Sequence, residues 1–283
     1  MTCRVIQISD THLSPAHTHF QANFDRLRAW LAAAPPDLII CTGDLSLDGA
    51  EDAADLRYAA AQLASLPARC LAIPGNHDVG DYAVLGGWQN TDAARLARWR
   101  EILGADHFVE DLPGWRLVGL NTQSLGSFLP EEAAQAAALA DAVAGAGGRA
   151  LALFLHKPLC QHRLDDTEVN YWPVLQPARA AVVAAFGATP PRFVASGHIH
   201  QWRDHAPDGL RQIWAPAVSF IVGEESQPSI GSKLLGVVEH RLPGPQTLDQ
   251  LQPGQNFLAG LAAGADPAVL AIDQQVEKYL REQ

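Results

Sequence analysis

Short apolar runs punctuate this chain: Val5-Ile6-Gln7-Ile8, Leu38-Ile39-Ile40-Cys41, Leu71-Ala72-Ile73, Leu151 to Leu155 and Phe193-Val194-Ala195. Their length and composition predict buried strands. Trp115–Leu120, Leu210–Trp214 and Leu234–Glu239 read as further strands. Between them, helical patterns cover Phe20–Ala33, Glu51–Ser65, Asp92–Leu103, Pro130–Val143 and Gln176–Phe186. Some of these carry start signals: Asp92 follows Thr91, and Pro130-Glu131-Glu132 puts proline and acids in a first turn. Strands alternating with helices indicate an α/β protein. There is no internal repeat, and the alanine-rich stretches keep helical periodicity.

The pattern changes at Leu242-Pro243-Gly244-Pro245, where a Pro/Gly/Gln-rich connector begins and continues to about Gly264. We therefore read residues 1–241 as one catalytic-size domain and residues 242–283 as a connector and helix. Asp266-Pro267 resembles a cap followed by proline at the first helical position, with Val269, Ile272, Val276 and Leu280 at helical spacing. That helix either packs back on the domain or contacts a second subunit, as in a homodimer.

Polar groups follow the apolar runs in a regular way. Asp10-Thr11-His12, Gly43-Asp44, Gly75-Asn76-His77-Asp78, His156 and Gly197-His198-Ile199-His200 stand just after the five runs. Any one of them alone reads as a turn or a pair of surface histidines. Together, at five strand ends, they converge on one edge of a sheet as a metal site. Carboxylate and amide oxygens with imidazoles, and no thiolate, suit Zn, Fe or Mn. Asp10, His12, Asp44, Asn76, His156, His198 and His200 exceed the needs of one ion; two ions sharing Asp44 through both its oxygens would have four ligands each. Two divalent ions, two carboxylates and a hydroxide would leave a charge of about +1, suited to a phosphodiester monoanion.

Composition narrows the partners. The 283-residue chain is 48% hydrophobic, with a formal net charge of −11. Duplex binding needs clustered Lys and Arg, so no nucleic-acid polymer is expected. No apolar stretch approaches the ~20 residues of a membrane span. Met1-Thr2-Cys3-Arg4 leads straight into a strand, which predicts a cytoplasmic protein. Cys3, Cys41, Cys70 and Cys160 lack a CxxC spacing and read as reduced and structural.

With these blocks together, the chain resembles the calcineurin-like metallophosphoesterase superfamily, whose pattern is D-x-H, G-D, G-N-H-[DE], H and G-H-x-H. The likeness extends over roughly residues 1–240. Gln7 to Leu13 and Thr42 to Gly49 are most similar to the branch containing class III cyclic-nucleotide phosphodiesterases and glycerophosphodiesterases. The resemblance implies a four-layer α/β/β/α sandwich of two mixed sheets flanked by helices, with a site for two divalent or trivalent ions (Fe, Mn or Zn). It implies that Asp10, His12, Asp44 and His200 hold one ion and that Asp44, Asn76, His156 and His198 hold the other. His77 matches the catalytic histidine, which assists departure of the alcohol; imidazole exchanges protons near neutral pH. The alternative for His77 is a ligand or a donor to one. The implied reaction is in-line attack on a phosphodiester by a metal-bound hydroxide. Candidate substrates are a cyclic nucleotide, a glycerophosphodiester or a phospholipid headgroup diester, with phosphomonoester hydrolysis or a non-catalytic scaffold as alternatives.

Lys157 departs from the family, where a second histidine is frequent; it is expected to point to solvent or else to touch a phosphate oxygen. Asp78 either orients His77 or caps a turn. Substrate selection is expected from residues 79–91 (Tyr82, Trp88, Gln89, Asn90), 121–129 (Asn121, Gln123, Phe128), 160–173 (His162, Arg163, Asn170, Tyr171, Trp172) and 201–205. The third of these is either a lid or a surface loop anchored by Trp172. His17 and His19 are expected in solvent, and His107, His205 and His240 at the surface or partly buried.

Overall fold

Two mixed sheets stack face to face, each backed by helices; the computed structural model describes residues 2–87, 89–244 and the backbone of 256–260. In the first sheet, β1 (Thr2–Ile8) pairs in parallel with β2 (Leu38–Thr42), and β2 with β3 (Cys70–Ile73). On the other side of β1, antiparallel pairing adds β10 (Gly236–Pro243) and then β11 (Asn256–Gly260). The second sheet has β5 (Trp115–Gly119), β6 (Ala150–Phe154), β7 (Phe193–Ser196) and β9 (Gln212–Trp214) in parallel. Antiparallel β4 (Phe108–Leu112) and β8 (Arg203–His205) form its edges.

The strands read as continuous apolar runs because both of their faces are covered. Val5, Leu38, Ile40, Leu117, Ala152, Phe154, Ala195 and Val238 point between the sheets. Their neighbours Ile6, Ile8, Ile39 and Cys41 face the other way, onto α1 (Gln21–Ala33), α2 (Ala53–Ala64) and α4 (Ala93–Leu103). Likewise Leu151, Leu153 and Val194 meet Leu139 of α5 (Pro130–Ala144) and Val182 of α6 (Ala178–Ala185). The four layers are thus three apolar interfaces, set by the two-residue period of each strand. A single helical turn, α3 (Asn76–Val79), follows β3.

The expected helices are present, with ends shifted by a few residues. Asp52 and Asp92 cap α2 and α4 through their side chains, and Pro130 opens α5. β10 runs two residues beyond the expected boundary at 241, and β11 lies in the stretch read as a connector. The helix expected after Asp266 lies outside the described residues. Among the described residues, no helix is long and apolar enough to cross a membrane. His240 is fully buried between the sheets rather than near the surface, stacked on Phe193 and bonded to Gln7. His19 is exposed and His17 half-buried; His107 pairs with Asp106, and His205 packs on Trp214. The four cysteines are free.

Candidate metal centre

The parallel strands of both sheets end on the same side of the molecule, and the predicted residues leave them there. Backbone bonds stitch the first two loops together: Asp10 N donates to Gly43 O, His12 N to Asp44 O and Leu13 N to Leu45 O, at 3.0, 3.0 and 2.8 Å. Val218 N donates to Ser9 O, bringing the loop after β9 alongside. Asp10, His12, Asp44, His198 and His200 all adopt left-handed backbone, with φ between 43 and 67°. That conformation is uncommon outside glycine, and its concentration here is strain held in place by the surrounding bonds. Gly75 is required by close approach: a Cβ there would lie 2.2 Å from Asp44 Oδ1.

Two groups of side chains result. Asp10, His12 and His200 form one, and Asp44, His156 and His198 the other; all six are buried. His12 and Asp44 also meet His77, linking the two groups. Asp44 Oδ2 lies 3.8 Å from His12 Nε2 and 3.4 Å from His156 Nε2. Its Oδ1 accepts the His77 backbone N–H at 2.9 Å. A single oxygen of Asp44, rather than both, therefore faces the two groups at once.

Hydrogen bonds choose the imidazole tautomers. His156 Nδ1 donates to Thr42 O at 2.8 Å, which turns the Nε2 lone pair toward Asp44 Oδ2 and toward Asn76 Oδ1 at 3.1 Å. His200 Nδ1 donates to Phe220 O at 3.1 Å, which turns its Nε2 toward Asp10 Oδ1 at 3.3 Å and His12 Nε2 at 3.4 Å. Asp10 Oδ1 is buried without a hydrogen bond. Lone pairs thus face one another at two places, an arrangement that needs a positive centre at each. Charge tells the same story. Burial would lower the His156 pKa, but the Asp44 carboxylate raises it to about 9. Burial would raise Asp44, yet His156 and His77 hold it well below the usual carboxylate range. Hard oxygens and imidazole nitrogens without thiolate fit a pair of transition-metal ions.

His77 stands beside the groups, its ring edge-on to His12 with centroids 4.6 Å apart. His77 Nδ1 donates to Leu47 O at 2.7 Å, so Nε2 is the free nitrogen. Asp78 has no part in orienting His77. Its carboxylate accepts from Gly75 N, Leu45 N, Ser46 N and Ser46 Oγ, clamping the loop after β3 to the loop after β2. Burial, then the Asp44 charge, pushes Asp78 up to about 6.

Lys157 corrects the sequence reading. Instead of reaching solvent it is fully buried, with its ammonium 2.7 and 2.9 Å from the Asp81 carboxylate oxygens. An adjacent acid five positions after Asn76 repays its desolvation, and no sequence signal announces that pairing. Among the residues expected to read substrate, Tyr82, Asn121 and Gln123 are buried supports: Tyr82 donates to Thr122 O, and Gln123 to Gly80 O. Gln89 donates to Asp48, while Trp88 lies outside the described residues. Tyr171 does reach the centre, accepting from Asn76 Nδ2 at its hydroxyl and from His198 Nε2 at its carbonyl. Phe220, which the sequence did not suggest, packs on His200 and His12 with centroids 4.5 and 5.2 Å away.

The family model for calcineurin-like phosphoesterases matches residues 3–202. A probable cyclic nucleotide phosphodiesterase of Moraxella catarrhalis (strain BBH18) is 37% identical over 84 residues, which is 28% of this chain and 28% of that protein. Among solved structures, a dimetal phosphatase from Danio rerio shares the fold at 14% identity and a TM-score of 0.54, covering 92% of this chain and 99% of that one. A purple acid phosphatase from yellow lupin (Lupinus luteus) seeds does so at 12% and 0.59, covering 85% and 49%. GAP50, the anchor in the inner membrane complex of Plasmodium, does so at 12% and 0.61, covering 93% and 86%. With that match over most of its length, and the ligand-type residues of both sheets gathered at one edge, the chain belongs to the calcineurin-like phosphoesterase family, though it spans under a third of the curated relative and about half of the lupin phosphatase.

Proposed function

We propose that the protein is a metal-dependent phosphodiesterase. In this reading Asp10, His12, Asp44 and His200 hold one ion, and Asp44, Asn76, His156 and His198 hold a second. Iron, manganese or zinc suits these donors. When bound, such a pair supplies Lewis acidity toward phosphoryl oxygens and activates water at neutral pH. The rest falls to the chain. Leu47 O fixes the His77 ring and leaves its Nε2 free beside the two groups, placed to carry a proton to the departing alkoxide. Thr42 O and Phe220 O fix His156 and His200 in the tautomers that ligation requires. The rings of Phe220 and Tyr171, beside His200 and His198, narrow the approach from either side.

One observation favours a diester over a monoester. Lys157, whose charge bears on His198, is already balanced by Asp81. It is thereby not offered to the second negative charge of a monoester dianion. The uncharged Asn76 keeps the centre positive enough for a monoanion. The reading extends to a cyclic nucleotide, a glycerophosphodiester or a phospholipid headgroup diester as substrate, and to a cytoplasmic location.

The test is turnover of bis(p-nitrophenyl) phosphate against p-nitrophenyl phosphate by the Mn²⁺-loaded chain, followed by cAMP, glycerophosphocholine and phospholipid side by side. A higher kcat/KM for the diester is expected. A monoester preference of tenfold or more would replace this reading with a phosphomonoesterase, and metal uptake with no turnover of either would replace it with a scaffold.

A further inference from the structure

Lys157 and Tyr171 are joined in a way that the reaction outlined above does not use. All three ammonium donors of Lys157 are engaged: two on Asp81, and the third on Tyr171 O at 2.7 Å. The ammonium also lies over the rings of Tyr82 and Tyr171, at 4.5 and 4.6 Å from their centroids. Asp81 is itself held by its neighbours. Its backbone N–H donates to Gln89 O, its carbonyl accepts from Thr91 N, and its carboxylate accepts from Tyr82 N and Gln123 Nε2. A rigid cationic post therefore stands under a residue that belongs to a surface segment.

Tyr171 passes that rigidity on. Its carbonyl accepts from His198 Nε2 at 3.2 Å, which leaves Nδ1 as the lone-pair nitrogen of His198. Its hydroxyl accepts from Asn76 Nδ2 at 3.0 Å, which turns Asn76 Oδ1 toward His156. Two of the donors assigned to the second ion thus take their orientation from one residue. Among the described residues, no hydrogen bond from Lys157 or Tyr171 goes to Asp10, His12 or His200; Asp10 accepts instead from His198 N and Ser219, and His200 donates to Phe220 O.

We propose that Lys157 is a positioning residue that pins Tyr171 in place, and that Tyr171 in turn orients Asn76 and His198 for one of the two ions only. The inference rests on the two-ion reading of the site. Outer partners of this kind are typically worth 10–100-fold in metal affinity.

Titration of the metal-stripped full chain with Mn²⁺, followed calorimetrically, reads the two binding steps separately. In Tyr171→Phe, which keeps ring and carbonyl, and in Lys157→Met, one step weakens about 10–100-fold while the other keeps its wild-type affinity. Tyr171→Phe adds no further loss in an Asn76→Ala background, as a purely structural effect would. If Lys157→Met does not fold, Tyr171→Phe, a loss of one hydroxyl from a part-exposed ring, decides alone. Unchanged steps in Tyr171→Phe, or an equal fall in both steps, overturns the inference while leaving the two-ion reading intact. A wild-type chain that takes up fewer than two Mn²⁺ overturns that reading, and this inference with it.

Discussion

Most of the candidate ligand residues are held by a backbone partner, and that separates binding from chemistry. Asp44 is tied by the His77 N–H and faces both groups, so Asp44→Asn should lose metal and activity together. The His77 ring meets His12 edge-on and is held by Leu47 O, with its Nε2 free. His77→Ala should therefore keep wild-type metal content while kcat falls about 10²–10⁴-fold, most for poor leaving groups. Metal analysis beside a leaving-group series checks this, and metal loss in that variant would place His77 among the ligands. Asp106 offers a residue-scale test of stability away from the centre. Burial would raise its carboxyl, but bonds from His107, Arg100 and Asn121 hold it at about 2. A depressed carboxyl stabilises the folded state above its unfolded value near 3.9, and that contribution is lost as pH falls toward 2. It amounts to about 2 kcal/mol. Asp106→Asn should lower the neutral-pH Tm and flatten the Tm-against-pH curve between pH 4 and 2. A parallel downward shift with an unchanged slope would mean that the carboxylate is not the titrating group.

Elements show why parts of this protein were legible in its sequence. β1, β2 and β6 are covered on both faces, so their runs are apolar at consecutive positions and could be read directly. β4 was missed because it is a half-exposed edge strand, Phe-Val-Glu-Asp-Leu, with an acid on each face: Glu110 on the half-buried one and Asp111 on the exposed one. β8 is three residues long and carries Arg-Asp-His, which no propensity marks as a strand. The residues that gather into the two groups were legible because side-chain chemistry marks them, each just past a strand end. What orients them was not. Thr42, Leu47 and Phe220 act through backbone carbonyls, which every residue type possesses, and Tyr171 does so toward His198 while its hydroxyl meets Asn76. The burial of Lys157 was equally silent, because it depends on where Asp81 comes to rest. Element packing also sets a cost that can be measured. Phe154 of β6 is fully buried between the sheets, its ring centroid 6.0 Å from that of Phe193 and 5.6 Å from that of His240. Phe154→Ala should destabilise the chain by about 3–5 kcal/mol, read by urea denaturation. A loss below about 1 kcal/mol would mean that the sheets can close over the gap.

At the scale of the whole molecule, the centre lies on the seam between the two sheets. Asp10, His12, Asp44 and Asn76 follow strands of the first sheet; His156, His198 and His200 follow strands of the second. Each proposed ion takes ligands from both, so binding would join the sheets at one end, above an apolar interface that already joins their middles. The buried acids and imidazoles there are costly to hold together without a shared positive charge. Folding and metal uptake are then linked: an ion that binds only the folded chain stabilises it by about 2.7 kcal/mol at 100 times its Kd. EDTA should lower the Tm of the wild-type chain, and Mn²⁺ restored in excess should return it, with the rise growing as the logarithm of free metal. Asp44→Asn, lacking the shared oxygen, should start near the EDTA-treated value and respond little to either addition. A wild-type Tm indifferent to chelation, in a chain that still binds two ions, would mean that they sit on one sheet alone and do not bridge the seam.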